Sequence, residues 1–217
     1  MVYNIVGDVM LVAICARLEI KNGKKRWFIT DYFKKLACHL NWTLIPIVSS
    51  KDVQKISELC HALIIPGSGN DINPKYYKEK PIFKNQYYDE EYKLDKVAIK
   101  AFFGQNKKII GICGGMQSLN VYFGGTLFQD IDNHNNTFHP IKIINSTFLS
   151  SYYKKKTVKV NSFHHEAIKN VAPNFQISAI SNDNIIEAIE SENILGLQYH
   201  PEVLKDYNIF KNFIENN

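Results

Sequence analysis

An α/β fold, with a mostly parallel central sheet and helices on both faces, is the architecture this sequence predicts. Three observations predict it. Short apolar runs alternate with segments of helical spacing through the first half of the chain. A glycine-flanked cysteine follows one of those runs and precedes a helix, and a late apolar segment ends in His200-Pro201-Glu202. Strands that alternate with helices pair in parallel and are covered on both sides.

The elements follow in order. Met10 to Ala16 is a short apolar run and reads as the first strand. Trp27 to Leu40 carries Phe28, Tyr32, Phe33, Leu36, Ala37 and Leu40 at helical spacing and reads as a helix. Thr43 to Val48 is a strand, Val53 to Cys60 a short helix and Ala62 to Ile65 a third strand, followed by a loop, Pro66 to Asp71. Residues 75 to 90, rich in Lys, Tyr and Asn, read as a mobile excursion. Tyr92 to Phe103 is a helix, Lys108 to Ile112 a strand and Ser118 to Phe123 a helix. Short β runs follow at Thr157 to Val160, Phe175 to Ile180, Ile185 to Ile189 and Ile194 to Tyr199, and Tyr207 to Ile214 closes as a helix.

The 217 residues suit one large domain over 1–217, and 45% hydrophobic residues supply a core. The net charge of +5 suits an anionic substrate but is too weak to argue nucleic-acid binding. Of the four cysteines, Cys15, Cys38 and Cys60 lie in apolar surroundings, and no C-x-x-C pair suggests zinc. The first eight residues show no signal peptide and no apolar run is long enough to span a membrane, so a reduced, cytoplasmic compartment is expected.

Gly111-Ile112-Cys113-Gly114-Gly115-Met116-Gln117 has the G-x-C-x-G spacing of a nucleophile elbow. Its glycines permit a tight strand-to-helix turn, which exposes the sulfur beside a helix N-terminus and favours the thiolate. In extended chain, residues two apart point the same way, so Glu202 can orient the imidazole of His200. Pro66-Gly67-Ser68-Gly69-Asn70-Asp71 reads as an oxyanion hole: an N–H near Gly67 or Ser68, with that of Gly114, would bind a tetrahedral oxyanion.

G-x-C-x-G-x-Q and the later H-P-E together resemble the class I glutamine amidotransferase superfamily, over most of the chain from the first strand to Glu202. The resemblance implies its flavodoxin-like fold, with Cys113 as nucleophile, His200 as general base and acid, and Glu202 as the orienting carboxylate. Pro66 to Tyr77, Gly124 to Ile131 and Val160 to Ile168 are similar to the γ-glutamyl-γ-aminobutyrate hydrolase branch. In that branch the segment matching Val160-Asn161-Ser162-Phe163-His164-His165-Glu166-Ala167-Ile168 lies beside the active site, which implies substrate-binding roles for Ser162, Phe163 and His164 alongside Gln117. Two departures stand out: Gly114 where many members carry arginine, and Glu166 in place of glutamine.

The expected activity is that of a stand-alone γ-glutamyl amide hydrolase working through a thioester on Cys113, without cofactor. The leaving group is an amine or, as in small members that serve capsule-sugar modification, a nucleotide phosphoramidate. The alternative is a glutaminase subunit that delivers ammonia to a synthetase partner. The partner expected is a small γ-glutamyl molecule, not nucleic acid or a membrane; a homodimer is compatible with the sequence. No metal site is expected, because His164 and His165 have no further ligands at a recognisable spacing.

Overall fold

The computed structural model describes residues 9–83 and 87–215. The first eight residues, on which the expectation about a signal peptide rests, and residues 84–86 of the excursion lie outside them. Strand β1 (Leu11–Cys15) leads to a hairpin, β2 (Arg17–Lys21) and β3 (Lys24–Phe28), then α1 (Asp31–Leu40), β4 (Thr43–Ile47), α2 (Val53–Leu59) and β5 (Ala62–Ile65). A 3-10 turn at Pro74–Tyr77 precedes α3 (Asp89–Gly104), β6 (Lys108–Ile112) and α4 (Gly114–Tyr122). The second half holds β7 (Thr126–Phe128), β8 (Thr137–Ile143), α5 (Phe148–Tyr153), β9 (Thr157–Ser162), β10 (Ala167–Asn170), β11 (Gln176–Ser181), β12 (Ile186–Ser191) and β13 (Ile194–Leu197). Helices α6 (Pro201–Leu204) and α7 (Asn208–Glu215) follow.

Among the described residues the main sheet runs β4-β1-β5-β6-β13-β12-β11-β8-β9. The first five strands are mutually parallel, as the strand–helix alternation implies. The next four continue antiparallel. Of the parallel strands, β1, β5, β6 and β13 are buried on both faces, so their side chains alternate between two cores. Val12, Ile14, Ala62, Ile64 and Ile110 face Phe33 and Leu36 of α1 and Phe210 and Phe213 of α7. Ala13, Cys15, Leu63, Ile65 and Ile109 face Leu94, Ile99 and Phe102 of α3 and Leu119 of α4.

Several elements differ from expectation. Trp27 and Phe28 belong to β3 and not to a helix, which starts at Asp31. The cause is the Asn22-Gly23 pair, whose φ values of 51° and 70° make the two-residue hairpin turn that pairs Lys21 with Lys24. Part of the excursion is ordered: Asn73 caps the 3-10 turn, and the Tyr76 ring packs 4.5 Å from that of Tyr92. Helix α4 begins at Gly114 and not Ser118, which places its N-terminus directly after Cys113.

One buried ion network ties this frame together. Arg17, the first residue of β2, donates to Asp95 at 2.6 and 3.1 Å and to Glu91 at 3.3 Å, both on α3. Asp95 also accepts from Ser118 of α4 at 2.8 Å, and Glu91 from the Leu18 amide at 2.6 Å. Removing one member of such a network strands the others without water. Arg17→Met is therefore expected to destabilise the fold by about 3–5 kcal/mol, read from the urea midpoint. A change under about 1 kcal/mol would show that the network contributes little.

Candidate functional site

Three adjacent parallel strands end together. β5 runs into Gly67-Ser68, β6 into Cys113 and β13 into Gln198-Tyr199-His200. Crevices outside the carboxyl ends of parallel strands are where open α/β sheets place ligands. Cys113 has φ 49° and ψ −111°, a conformation that non-glycine residues rarely adopt, and its amide donates to the Leu197 carbonyl at 2.7 Å. Its backbone strain and its place before α4 match the elbow expected from the glycine spacing.

His200 Nδ1 lies 2.7 Å from Glu202 Oε1, and Glu202 is buried. Burial works against the His200 cation, but hydrogen bonds to Cys113 and Glu202 prevail and push its pKa up from the ordinary 6.5 to about 10. The imidazole is thus held charged between the sulfur and the carboxylate. Asn161 of β9 fixes the His200 backbone from both sides, accepting its amide at 2.8 Å and donating to its carbonyl at 3.1 Å. Gln198, fully buried, donates to Cys113 Sγ at 3.5 Å. Asn161 and Gln198 were not singled out by sequence reasoning. Each lies inside a motif that was, two residues from His200 in one case and at the start of V-N-S-x-H-H in the other.

Gly67 and Gly114, expected at an oxyanion hole, lie close to the sulfur, the imidazole and each other's turns. A methyl group on Gly67 would fall 2.7 Å from His200 Cε1 and 3.3 Å from Cys113 Cβ. One on Gly114 would fall 3.1 Å from the Ser68 amide nitrogen. Bare backbone at Gly67 leaves the His200 ring its place, and a side chain at Gly114 would press on the Ser68 backbone.

The proposed grips on substrate need correction. Ser162 is buried, and its hydroxyl donates to the His134 carbonyl at 2.5 Å. Gln117 donates to the Glu166 carbonyl at 3.0 Å, and His164 Nδ1 donates to the same oxygen at 2.9 Å. These bonds shape the segment that walls the cleft, and Gln117 and His164 also line the cleft itself. Phe163 is 40% exposed with its ring 5.8 Å from that of His200, so it does stand at the mouth. The absence of further ligands near the histidine pair also fails. His165 turns outward to Asp71 and Asp130, but His134, His139 and Glu187 gather around His164. Their sequence separations hide this, because separate strands bring them together.

A cleft of about 110 Å³ opens at the sulfur, lined by Cys113, Gln117, Ser68, Asp71, Phe163 and Glu166 among others. Burial, with the charges of Asp71 and Cys113, pushes the Glu166 carboxyl up from the ordinary 4.5 to about 9 against the opposing hydrogen bond from Ile72. Glu166 is therefore protonated at neutral pH.

The chain matches the family described as Peptidase C26 over residues 9–202. The glutamine amidotransferase-like protein YvdE of Lactococcus lactis is 31% identical over 175 residues, which cover 73% of this chain and 73% of that one. The glutamine-hydrolysing GMP synthase of Dictyostelium discoideum is 28% identical over 185 residues, covering 81% of this chain but 23% of that longer protein. The crystal structure of a glutamine amidotransferase from Thermotoga maritima superposes with a TM-score of 0.65 at 13% identity, covering 95% of this chain and 83% of the other. That likeness shows the shared α/β fold.

The protonated state of Glu166 has a measurable consequence. Its folded-state pKa lies above the unfolded value, so its contribution is fully present below pH 4.5 and is lost as pH rises towards about 9. Glu166→Gln removes that titration. Between pH 5 and pH 8 the variant is expected to gain on the parent by on the order of 3 kcal/mol in urea unfolding. Parallel pH profiles for the two proteins would mean that Glu166 is ionised in the fold.

Proposed function

Since this chain belongs to the peptidase C26 family of glutamine amidotransferase-like hydrolases, we propose that it hydrolyses γ-glutamyl amides by itself, through Cys113, His200 and Glu202. The observation that carries this reading is the strained Cys113 elbow set against an imidazolium that Glu202 holds at 2.7 Å. The Cys113 thiolate attacks the side-chain amide carbonyl of the substrate. The oxyanion is received by the amide of Gly114 and by the Gly67–Ser68 turn. His200 passes its proton to the departing nitrogen, the C–N bond breaks, and a γ-glutamyl thioester remains on the sulfur. Water then attacks the thioester as His200 takes up its proton. Glutamate leaves and the thiolate is restored.

The cleft favours an amine as the leaving group. Among the described residues neither lysine nor arginine lines it, so an anionic phosphoramidate meets no countercharge from them. Asp71, whose Oδ1 lies 3.0 Å from His165 Nε2 at the rim, supplies a carboxylate for the glutamyl ammonium. No helix among the described residues is long and apolar enough to cross a membrane.

Glutamate release by the purified chain tests this, with glutamine, several γ-glutamyl amines and a γ-glutamyl nucleotide phosphoramidate offered side by side. Turnover is expected on a γ-glutamyl amine, with glutamine poor. It should fall to background in Cys113→Ala, and about 10²–10⁴-fold in kcat, with KM little changed, in Glu202→Gln. Preference for glutamine, or activity only beside a second chain, would assign instead a glutaminase subunit. The partial match to a GMP synthase is the observation on that side.

A further inference from the structure

Beside the cleft, and outside the proposed chemistry, three imidazoles and one carboxylate converge in the interior. His134 precedes β8, His139 lies on β8, His164 follows β9 and Glu187 lies on β12. His134 and His164 are buried and Glu187 is wholly so, while His139 is 17% exposed at its side chain. Glu187 Oε1 stands 3.3 Å from His134 Nδ1, 3.4 Å from His139 Nε2 and 3.9 Å from His164 Nε2. None of these four facing atoms makes a hydrogen bond, nor does Glu187 Oε2.

The outer nitrogens explain why. His164 Nδ1 contacts a carbonyl, that of Glu166, at 2.9 Å, so it must carry the proton and donate. His134 Nε2 meets the carboxylate of Asp183 at 3.0 Å, so it too is the donor. In the neutral rings, His164 Nε2 and His134 Nδ1 then present lone pairs to a carboxylate oxygen. Acceptor then faces acceptor among mostly buried groups, an arrangement that costs free energy unless a cation, either a metal ion or a second proton on His134, lies between them.

We propose that His134, His139, His164 and Glu187 bind a divalent transition-metal ion, zinc by ligand type, that fastens the antiparallel strands to the rim of the cleft. Imidazole and carboxylate suit zinc at bonds of about 2.0–2.1 Å. A tetrahedron of such bonds has edges of about 3.3 Å, which matches two of the three Glu187–histidine separations. The four donor atoms lie within 4.8 Å of one another, so closing the shell needs a small inward movement of His164. The contacts of the outer nitrogens to Asp183 and to the Glu166 carbonyl are the second-shell pattern that orients metal-bound histidines. Four protein ligands and no open position make the site structural.

The test uses the full chain carrying Cys113→Ala, so that the cleft sulfur cannot hold the ion. After dialysis against a chelator, titration with Co²⁺ is expected to saturate near one equivalent. It should show the visible bands of four-coordinate cobalt without thiolate charge transfer. Zn²⁺ at about a hundred times its Kd should displace the cobalt and raise Tm by about 5 °C or more. His139→Gln, at the least buried ligand, and Glu187→Gln should each weaken cobalt binding at least 10-fold. No uptake by the parent, six-coordinate spectra, or uptake indifferent to both substitutions would overturn the proposal. The first result would leave a proton on His134 as the cation that fills the gap.

Discussion

The closeness with which α4 lies against the sheet is the constraint on which the rest of the site depends. A methyl group on Gly115 would fall 2.0 Å from the Ile65 carbonyl oxygen of β5, and one on Gly111 would fall 2.6 Å from the carbonyl oxygen of Gly115. One on Gly196 of β13 would strike Met116 of α4 at 2.9 Å. Backbone meets backbone between the first turn of α4 and strands β5 and β6, the Met116 side chain fills the gap to β13, and packed interiors do not absorb an extra methyl at such distances. Because the helix must start so close to the end of β6, Cys113 takes the strained turn between them. The same closeness sets the start of α4 against the Gly67–Ser68 turn, and adjacent β13 brings His200 alongside.

Rigidity behind the site comes from polar side chains tied to backbone groups. Asn161 spends both ends of its amide on the His200 backbone, and Gln117 and His164 share one carbonyl of Glu166. Functional groups are held within a fraction of an ångström only when their supports are themselves fixed. That requirement accounts for the side chains of Gln117, Ser162 and His164 being turned into the protein. Farther back, Arg17 of β2 is linked through Asp95 of α3 to Ser118 of α4, so movement of the elbow helix would disturb a desolvated ion network.

The parallel half of the fold was legible because its strands are buried on both faces and read as unbroken apolar runs, as Ala62–Ile65 and Lys108–Ile112 do. The elbow and the His200–Glu202 pair were legible because their chemistry is local in sequence. The hairpin of β2 and β3 was not read, since its charged, solvent-facing strands lack an apolar stripe. Its one signal was Asn22-Gly23, and the apolar Trp27 and Phe28 instead extended the helical pattern of α1 backwards. Strand β8 was missed because His139 and Pro140 interrupt it. The histidine cluster could not be read at all, because its members are joined by the registers of β8, β9 and β12 and by no spacing.

Glu166 joins these threads. Glutamine is usual at this position in the hydrolase branch that the segment resembles, and a carboxylate beside a reacting sulfur would repel the charge on which the chemistry rests. A protonated carboxyl is nearly the shape of an amide and, like it, offers both a donor and an acceptor. Its environment keeps Glu166 in that form up to about pH 9, with Asp71 and Cys113 both opposing its ionisation. The substitution is therefore chemically small at neutral pH and becomes large only in alkali. The backbone carbonyl of this residue, meanwhile, anchors His164 and through it the edge of the histidine cluster. One residue thus presents a neutral side chain to the cleft and a fixed backbone to the interior, and so couples the wall around the sulfur to the antiparallel half of the sheet.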